Sequence, residues 1–300
     1  VGSEAHMAAQ AIAETRSIPS RRRRRQIPVL RYLLLFLFAL LWAVPVFWMV
    51  LTSVKPEAQI IRVPPKWLPD QLSDFTIQHY VDVLFFPRGI DLIQSFLNSM
   101  FIAAVGTLLV VIVDVLAGYA FARLHCPGRN LLFALVVASL IVPGEILLIP
   151  NYITVWRLGW LNTYWALVFP PLAGGFGVFL MRQFLLSIPH ELEDAAQIDG
   201  CNRFQILWMI VIPLSRGAIA TLAIFTYLFF WNEFTWPYIV INEASKMTMP
   251  VALIQFRADY WSNYGQLMAG ATVSALPAIV IFLLAQRMII RSITLTGVKG

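Results

Sequence analysis

The chain has 300 residues, 59% hydrophobic and only 13% charged, against roughly 45 to 50% and about 25% in ordinary soluble domains. That composition excludes a soluble globule, and a mean hydropathy of +0.73 spread along the chain calls for several membrane spans rather than one anchor. The net charge of +6 is mostly the run Arg21 to Arg25 directly before an apolar stretch, which reads as a flank holding anionic lipid rather than as a nucleic-acid arm.

In chain order, residues 1–28 form a polar, basic, disordered tail. Val1 stands where a start methionine is expected, so Met7 is read as the native start and the six residues before it as foreign. At 1.5 Å per residue, about 20 apolar residues cross the ~30 Å hydrocarbon layer. Six segments approach that length: about 29–54, 95–122, 131–156, 160–185, 212–238 and 267–290. Asp114 falls in the second, Glu145 in the third, Asn232 and Glu233 near the end of the fifth. One central charge costs roughly 2.5 to 3.5 kcal/mol, which twenty apolar residues outweigh. The expected fold is all-α and integral to the membrane, with six spans.

Six spans put both termini on one side. Roughly two thirds of the 22 Lys and Arg residues then share that side, which makes it the cytoplasm by the positive-inside rule. Cys126 and Cys201 fall there as well, reduced and without a CxxC partner. No metal or disulfide is indicated, and no histidine lies in a span.

Two segments on the other side are long enough for structure. In 55–94, Pro56, Pro64, Pro65, Pro69 and Pro87 favour turns over a continuous helix. In 241–264, Phe256, Tyr260, Trp261, Asn263 and Tyr264 suit either a membrane-interface belt or an external partner. Within the third and fourth spans, Pro143-Gly144, Pro150, Pro170-Pro171 and Gly174, Gly175 and Gly177 interrupt the helix. The freed backbone groups need neighbouring helices or a water-lined cavity.

Between the fourth and fifth spans, Pro189 suits the first turn of a helix. Glu191, Glu193 and Asp194 complement its dipole, and Gly200 ends it in a left-handed conformation. Asn202 with Gln205 makes a capping box for a second helix. Leu192, Ala195, Ala196 and Ile198 are expected to form a narrow apolar face with the acidic residues pointing away. An acidic polar face fits docking on a protein better than lying on lipid.

Asp194-Ala195-Ala196, three residues, Gly200, nine residues and Ile210-Val211-Ile212-Pro213 closely resemble the cytoplasmic signature of bacterial ABC importer permeases, Glu-Ala-Ala, three residues, Gly, nine residues, Ile, any residue, Leu-Pro. Asp194 and Ile212 are mild departures. Further stretches are similar to the carbohydrate-uptake branch, in particular its MalG-like subunit: Asn98-Ser99, Ala117 to Arg123 with Pro127-Gly128-Arg129, Phe176 to Gln183, Trp231-Asn232-Glu233 and Val298-Lys299-Gly300. Ser292-Ile293-Thr294 departs from that branch's Gly-Leu-Thr.

The resemblance implies a MalG/MetI-like permease domain over 29–300 in the bacterial cytoplasmic membrane, with coupling helices at about 187–209 and a tail at 291–300. It implies four partners besides lipid: a second, MalF-like permease, two ABC ATPases and an extracytoplasmic solute-binding protein. Glu193, Asp194, Ala195, Ala196, Asp199 and Gly200 would couple to an ATPase. Thr296, Gly297, Val298, Lys299 and Gly300 would reach between the ATPases, and the 241–264 segment would touch the binding protein. The maltose-type systems hold their sugar mainly on the other permease, so few solute contacts are expected here.

None of Lys55, Lys66, Lys246 and Lys299 follows a glycine, so no P-loop is present and ATP with its Mg belongs to a partner. The chain is therefore expected to be non-catalytic and to carry no cofactor. The alternative within transport is a proton-coupled secondary transporter using Asp114, Glu145 and Glu233. An intramembrane enzyme would need a nucleophile with its base, or metal ligands, within the bilayer, whereas no histidine lies in a span and no Gly-x-Ser-x-Gly occurs.

Overall fold

The computed structural model describes residues 29–85, 89–259 and 263–296, without the side chains of 173, 256–259 and 287–296. Every regular element among the described residues is helical. The chain divides into two compact units between Phe47 and Trp48. The first unit holds most of helix α1, Val29–Ser53, apolar around its whole circumference with Pro45 inside it.

The second unit follows through α2 (Glu57–Ile60), α3 (Gln78–Phe85), α4 (Leu92–Arg123), α5 (Arg129–Ser139), α6 (Leu148–Arg157), α7 (Tyr164–Val168) and α8 (Gly175–Leu186). It continues with α9 (Glu191–Ile198), α10 (Arg203–Ile206), α11 (Ile212–Asn232), α12 (Thr235–Val240), α13 (Met249–Asp259) and α14 (Tyr264–Thr296). Four helices are long and apolar enough to cross a membrane: α1, α4, the continuous stretch Arg203–Asn232, and α14 as far as Gln286. Two broken pairs raise that number to six if each counts as one span. They are α5 with Gly144–Arg157, bent by 96°, and Tyr164–Leu172 with α8.

α4 is the axis of the unit, lying against both α8 and α11, and α11 lies in turn against α14. One apolar cluster surrounds Leu92, Ile102, Leu167, Phe230, Trp231, Trp236 and Val240, and a second surrounds Tyr119, Met181, Leu185, Ile206 and Leu207. Asn98 and Ser99 fasten the first cluster. The Asn98 amide donates to the carbonyls of Ser245 and Met247, both at 2.9 Å, and its oxygen accepts from the Tyr164 hydroxyl at 2.8 Å. Ser99 Oγ accepts from the Met249 amide at 2.7 Å. Buried amide and hydroxyl groups of α4 thus pin the 245–249 turn, as buried polar groups require.

The prolines of 55–94 break that segment into α2, a single 3₁₀ turn at Leu72–Asp74, and α3. The fifth span starts and stops earlier than the hydropathy pattern predicts, as helix from 203 to 232 instead of 212 to 238. Its C-terminal break has a local cause. Pro237 lacks an amide and its ring clashes with the carbonyl four residues back, at Glu233, which has left helical geometry with φ −66 and ψ 123. Its N-terminal extension passes through a π turn at Leu207–Val211, which carries the helix up to Pro213.

Candidate functional site

The 187–213 segment folds from local signals. α9 has Glu191, Glu193 and Asp194 in its first turn, where carboxylates oppose the positive helix end. Gly200 follows at φ +88 with open space around its missing side chain, so only the left-handed backbone demands glycine there. The capping box then starts α10: Asn202 Oδ1 accepts from the Gln205 amide at 2.9 Å, and the Asn202 amide donates to Gln205 Oε1 at 2.8 Å.

The expected orientation of α9 needs correction. Glu193 is 2% exposed and Ala196 7%, and both face inward, Ala196 against the cluster of Met181, Leu185, Ile188, Ile206 and Leu207. Asp194, Ala195, Asp199 and Gly200 lie on the outside with Leu192 and Ile198, the last 86% exposed. The apolar groups offered outward are therefore Leu192, Ala195 and Ile198, joined by Phe204. Burying the Glu193 carboxylate is costly unless a cation meets it.

That cation is Arg123, the last residue of α4. Its Nε lies 2.8 Å from Glu193 Oε1, with both side chains excluded from solvent. Nη2 donates to the carbonyls of Leu185 at 2.8 Å and Ile188 at 2.6 Å, and Nη1 meets His190 Nε2 at 2.5 Å. Arg203 stands outside the pair, 3.9 Å from Glu193 Oε2. One guanidinium thus ties together the end of α4, the end of α8 and the start of α9, using the planar fork that distinguishes arginine from lysine. Sequence reasoning missed Arg123 as a site residue. It lies in the Ala117 to Arg123 stretch, but nothing local pairs it with Glu193.

The polar residues expected inside the spans lie in three places. Asp114 is buried in α4 with its carboxyl against Gly177, where any added side-chain carbon would strike it and Leu222. Its Oδ1 has no hydrogen-bond partner among the described residues. Asn232 turns its amide back to the Leu228 carbonyl at 2.8 Å. Glu145 and Glu233 come together on the wall of one cavity of about 390 Å³, with Phe229, Phe230, Trp236 and Thr248.

Of the aromatic and polar residues proposed for an external contact, Tyr260, Trp261 and the side chain of Phe256 lie outside the described residues. Asn263 and Tyr264 are at the start of α14. Asn263 Oδ1 accepts from the Gln266 amide at 3.2 Å, and the amides of Tyr264 and Gly265 donate to the two carboxylate oxygens of Glu57, both at 2.9 Å. Nearby, Lys55 is buried, donates to the Lys66 carbonyl at 2.8 Å and lies over the Trp48 ring. Burial lowers its pKa below the usual lysine range. Thr296 ends α14, and Gly297, Val298, Lys299 and Gly300 lie outside the described residues. No group of three His, Cys, Asp or Glu side chains suited to a metal occurs among the described residues.

Residues 114–295 match the family described as binding-protein-dependent transport system inner membrane component. The chain is 34% identical over 281 residues to the arabinooligosaccharides transport system permease protein AraQ of Halalkalibacterium halodurans, covering 93% of this chain and all of that one. It is 31% identical to the lactose transport system permease protein LacG of Rhizobium radiobacter, with 89% and 96% covered. The sn-glycerol-3-phosphate transport system permease protein UgpE of Brucella suis is 29% identical, with 88% and 95% covered. Among solved structures, a bacterial ABC transporter involved in import of the acidic polysaccharide alginate superposes with a TM-score of 0.76 at 23% identity, covering 86% of this chain and 95% of that one.

Proposed function

The chain belongs to the family of binding-protein-dependent transport system inner membrane components, and from that premise we propose that it works as one of two different six-span permeases importing a sugar or sugar-like solute across the bacterial cytoplasmic membrane. As a membrane subunit of that family it is not itself the ATPase. Two ABC ATPases bind ATP and Mg and hydrolyse the nucleotide, a second permease completes the pathway, and an extracytoplasmic solute-binding protein delivers the solute. Both termini face the cytoplasm. Relatives named for arabinooligosaccharides and lactose support the sugar class.

The observation that carries this reading is the α9 hairpin, clamped inward by Arg123 and Glu193 while Leu192, Ala195 and Ile198 stand outward, exposed to solvent. A short helix held to the bundle on one face, with Leu192, Ala195 and Ile198 exposed among acidic residues on the other, suits a groove on a second protein. Closure of the ATPases would shift the bundle between inward-facing and outward-facing states through different contacts with α9. Glu193 and Ala196 hold the helix from inside, and Asp194, Ala195, Asp199 and Gly200 present it. Thr296 to Gly300 reach between the two ATPases, and Phe256, Tyr260, Trp261, Asn263 and Tyr264 meet the binding protein.

The test is solute-stimulated ATPase activity of the assembled transporter in proteoliposomes. Ile198→Asp places a charge on the outward face, Gly200→Trp forces a side chain into the left-handed region, and Ala196→Asp puts a charge on the inward face. All three are expected to insert normally and lose stimulation at least tenfold. Wild-type stimulation in Ile198→Asp, or uptake that survives a hydrolysis-dead ATPase and collapses with a proton uncoupler, overturns the reading.

A further inference from the structure

Of the four helices among the described residues that are long and apolar enough to cross a membrane unaided, three carry a weak point. α1 has Pro45 inside it and α14 has Pro277, and the stretch ending at Asn232 passes through the π turn at Leu207–Val211. Prolines and π turns are where helices kink. α4 has neither over its 32 residues, which makes it the stiff member of the bundle. Gly118 brings its backbone so close to α8 that an added side-chain carbon would lie 2.6 Å from Met181 Cβ, so α8 moves with it.

Both ends of this rod are pinned by buried polar side chains, about 38 Å apart along the axis at 1.5 Å per residue. Asn98, Ser99 and Arg123 are all excluded from solvent. At the outer end the Asn98 amide is fully used: both N–H groups go to the carbonyls of Ser245 and Met247, and the oxygen takes the Tyr164 hydroxyl and Gln94 Nε2. Ser99 Oγ takes the Met249 amide. At the inner end Arg123 holds the carbonyls of Leu185 and Ile188 and faces Glu193. Apolar contact is non-directional and lets surfaces slide, whereas hydrogen bonds fix distance and angle. A pinned end therefore moves with whatever holds it.

We propose that α4 is the connecting rod between the two docking surfaces of this subunit, with Asn98 and Ser99 as positioning residues for the 245–249 turn and Arg123 as the positioning residue for α9. Displacement of α9 by closing ATPases is carried along α4 to the turn inside the 241–264 segment. Coupling free energy is reciprocal, so a binding protein seated on that segment is felt at α9. The inference rests on the proposed function, which supplies the two partners, and adds the route between them. The other arm of the hairpin is the looser path: Arg203 is half exposed and 3.9 Å from Glu193, and the π turn separates it from α11.

The test drives the inner end and reads the outer one, in the assembled transporter with Cys126→Ser and Cys201→Ser. Ser245→Cys, at an exposed position, is the reporter. Its modification by a membrane-impermeant maleimide is timed with and without trapping of the ATPases by ATP, Mg and vanadate. Trapping is expected to change the rate at least about fivefold, the low end of ordinary coupling between sites. Arg123→Met with Glu193→Met, at the other end of α4 from the reporter, should abolish the change, and so should Asn98→Leu. Ser99→Ala, which loses one bond, and Arg123→Lys, which keeps the charge without the planar fork, should retain part of it; these two answer if either of the others fails to assemble. A purely structural role predicts instead that the folded Met pair responds as the parent does. No change in the parent, or a parent-like response in the Met pair, in Asn98→Leu or in both conservative variants, overturns the proposal. Ile198→Asp separates the two levels. If it abolishes the response and the Met pair does not, the rod alone is wrong; if it leaves the response intact, the ATPase-docking reading beneath is wrong.

Discussion

Arg123 and Glu193 each give up hydration to lie in an apolar cluster. An isolated buried charge costs several kcal/mol, so removing one partner is far worse than removing both. Arg123→Met should therefore lower the stability of the protein by about 3 to 5 kcal/mol, because Glu193 and two carbonyls lose their partner. Arg123→Met with Glu193→Met should recover most of that loss, since apolar groups of similar volume replace the pair. Thermal unfolding in detergent, read across the single and double variants as a mutant cycle, checks the coupling; additive losses would mean that the pair does not interact. The same pair marks the limit of what residues alone disclose. Gly200, Asn202 and Gln205 were legible because a turn and a cap are written within four positions. The inward face of α9 was not, because the cation that draws Glu193 inside comes from the far end of another helix.

Among the elements, α14 depends for its first turn on a residue distant in the chain. Glu57 takes the Tyr264 and Gly265 amides on its two oxygens, satisfying two donors that a helix start leaves orphaned and placing a negative charge at the positive end. Glu57→Ala is expected to cost about 1 kcal/mol, at most about 2, and Glu57→Gln less, because an acceptor remains. Hydrogen exchange at 264–268 should accelerate in Glu57→Ala while exchange in α4 stays unchanged; an equal rise in both would make the effect global and not a cap. Some element breaks were legible from their prolines: Pro143-Gly144 predicts the interruption that the 96° bend realises. The ends of the fifth span were misplaced because hydropathy has no term for the π turn at 207–211 or for the clash that Pro237 directs at Glu233.

At the scale of the whole molecule, the question is how many times the chain crosses the membrane. Four helices qualify outright, and each broken pair either crosses or turns back. Cys126 lies just after α4 and Cys201 just before Arg203, so both broken pairs lie between them. If both pairs cross, or both turn back, the two cysteines share a side; if only one crosses, they are on opposite sides. Position 158, between the two pairs, separates the remaining cases: it faces away from Cys126 when both cross and shares its side when both turn back. The basic residues flanking α4 and α8 favour two crossings with Cys126 and Cys201 inside. A membrane-impermeant maleimide should therefore modify Cys126, which is exposed, and Cys201 in inside-out vesicles and not in intact spheroplasts. Leu158→Cys, in a background with both natural cysteines replaced by serine, should show the reverse pattern. Modification of Leu158→Cys from the same side as both Cys126 and Cys201 would reduce the chain to four spans and turn both bent pairs into re-entrant elements.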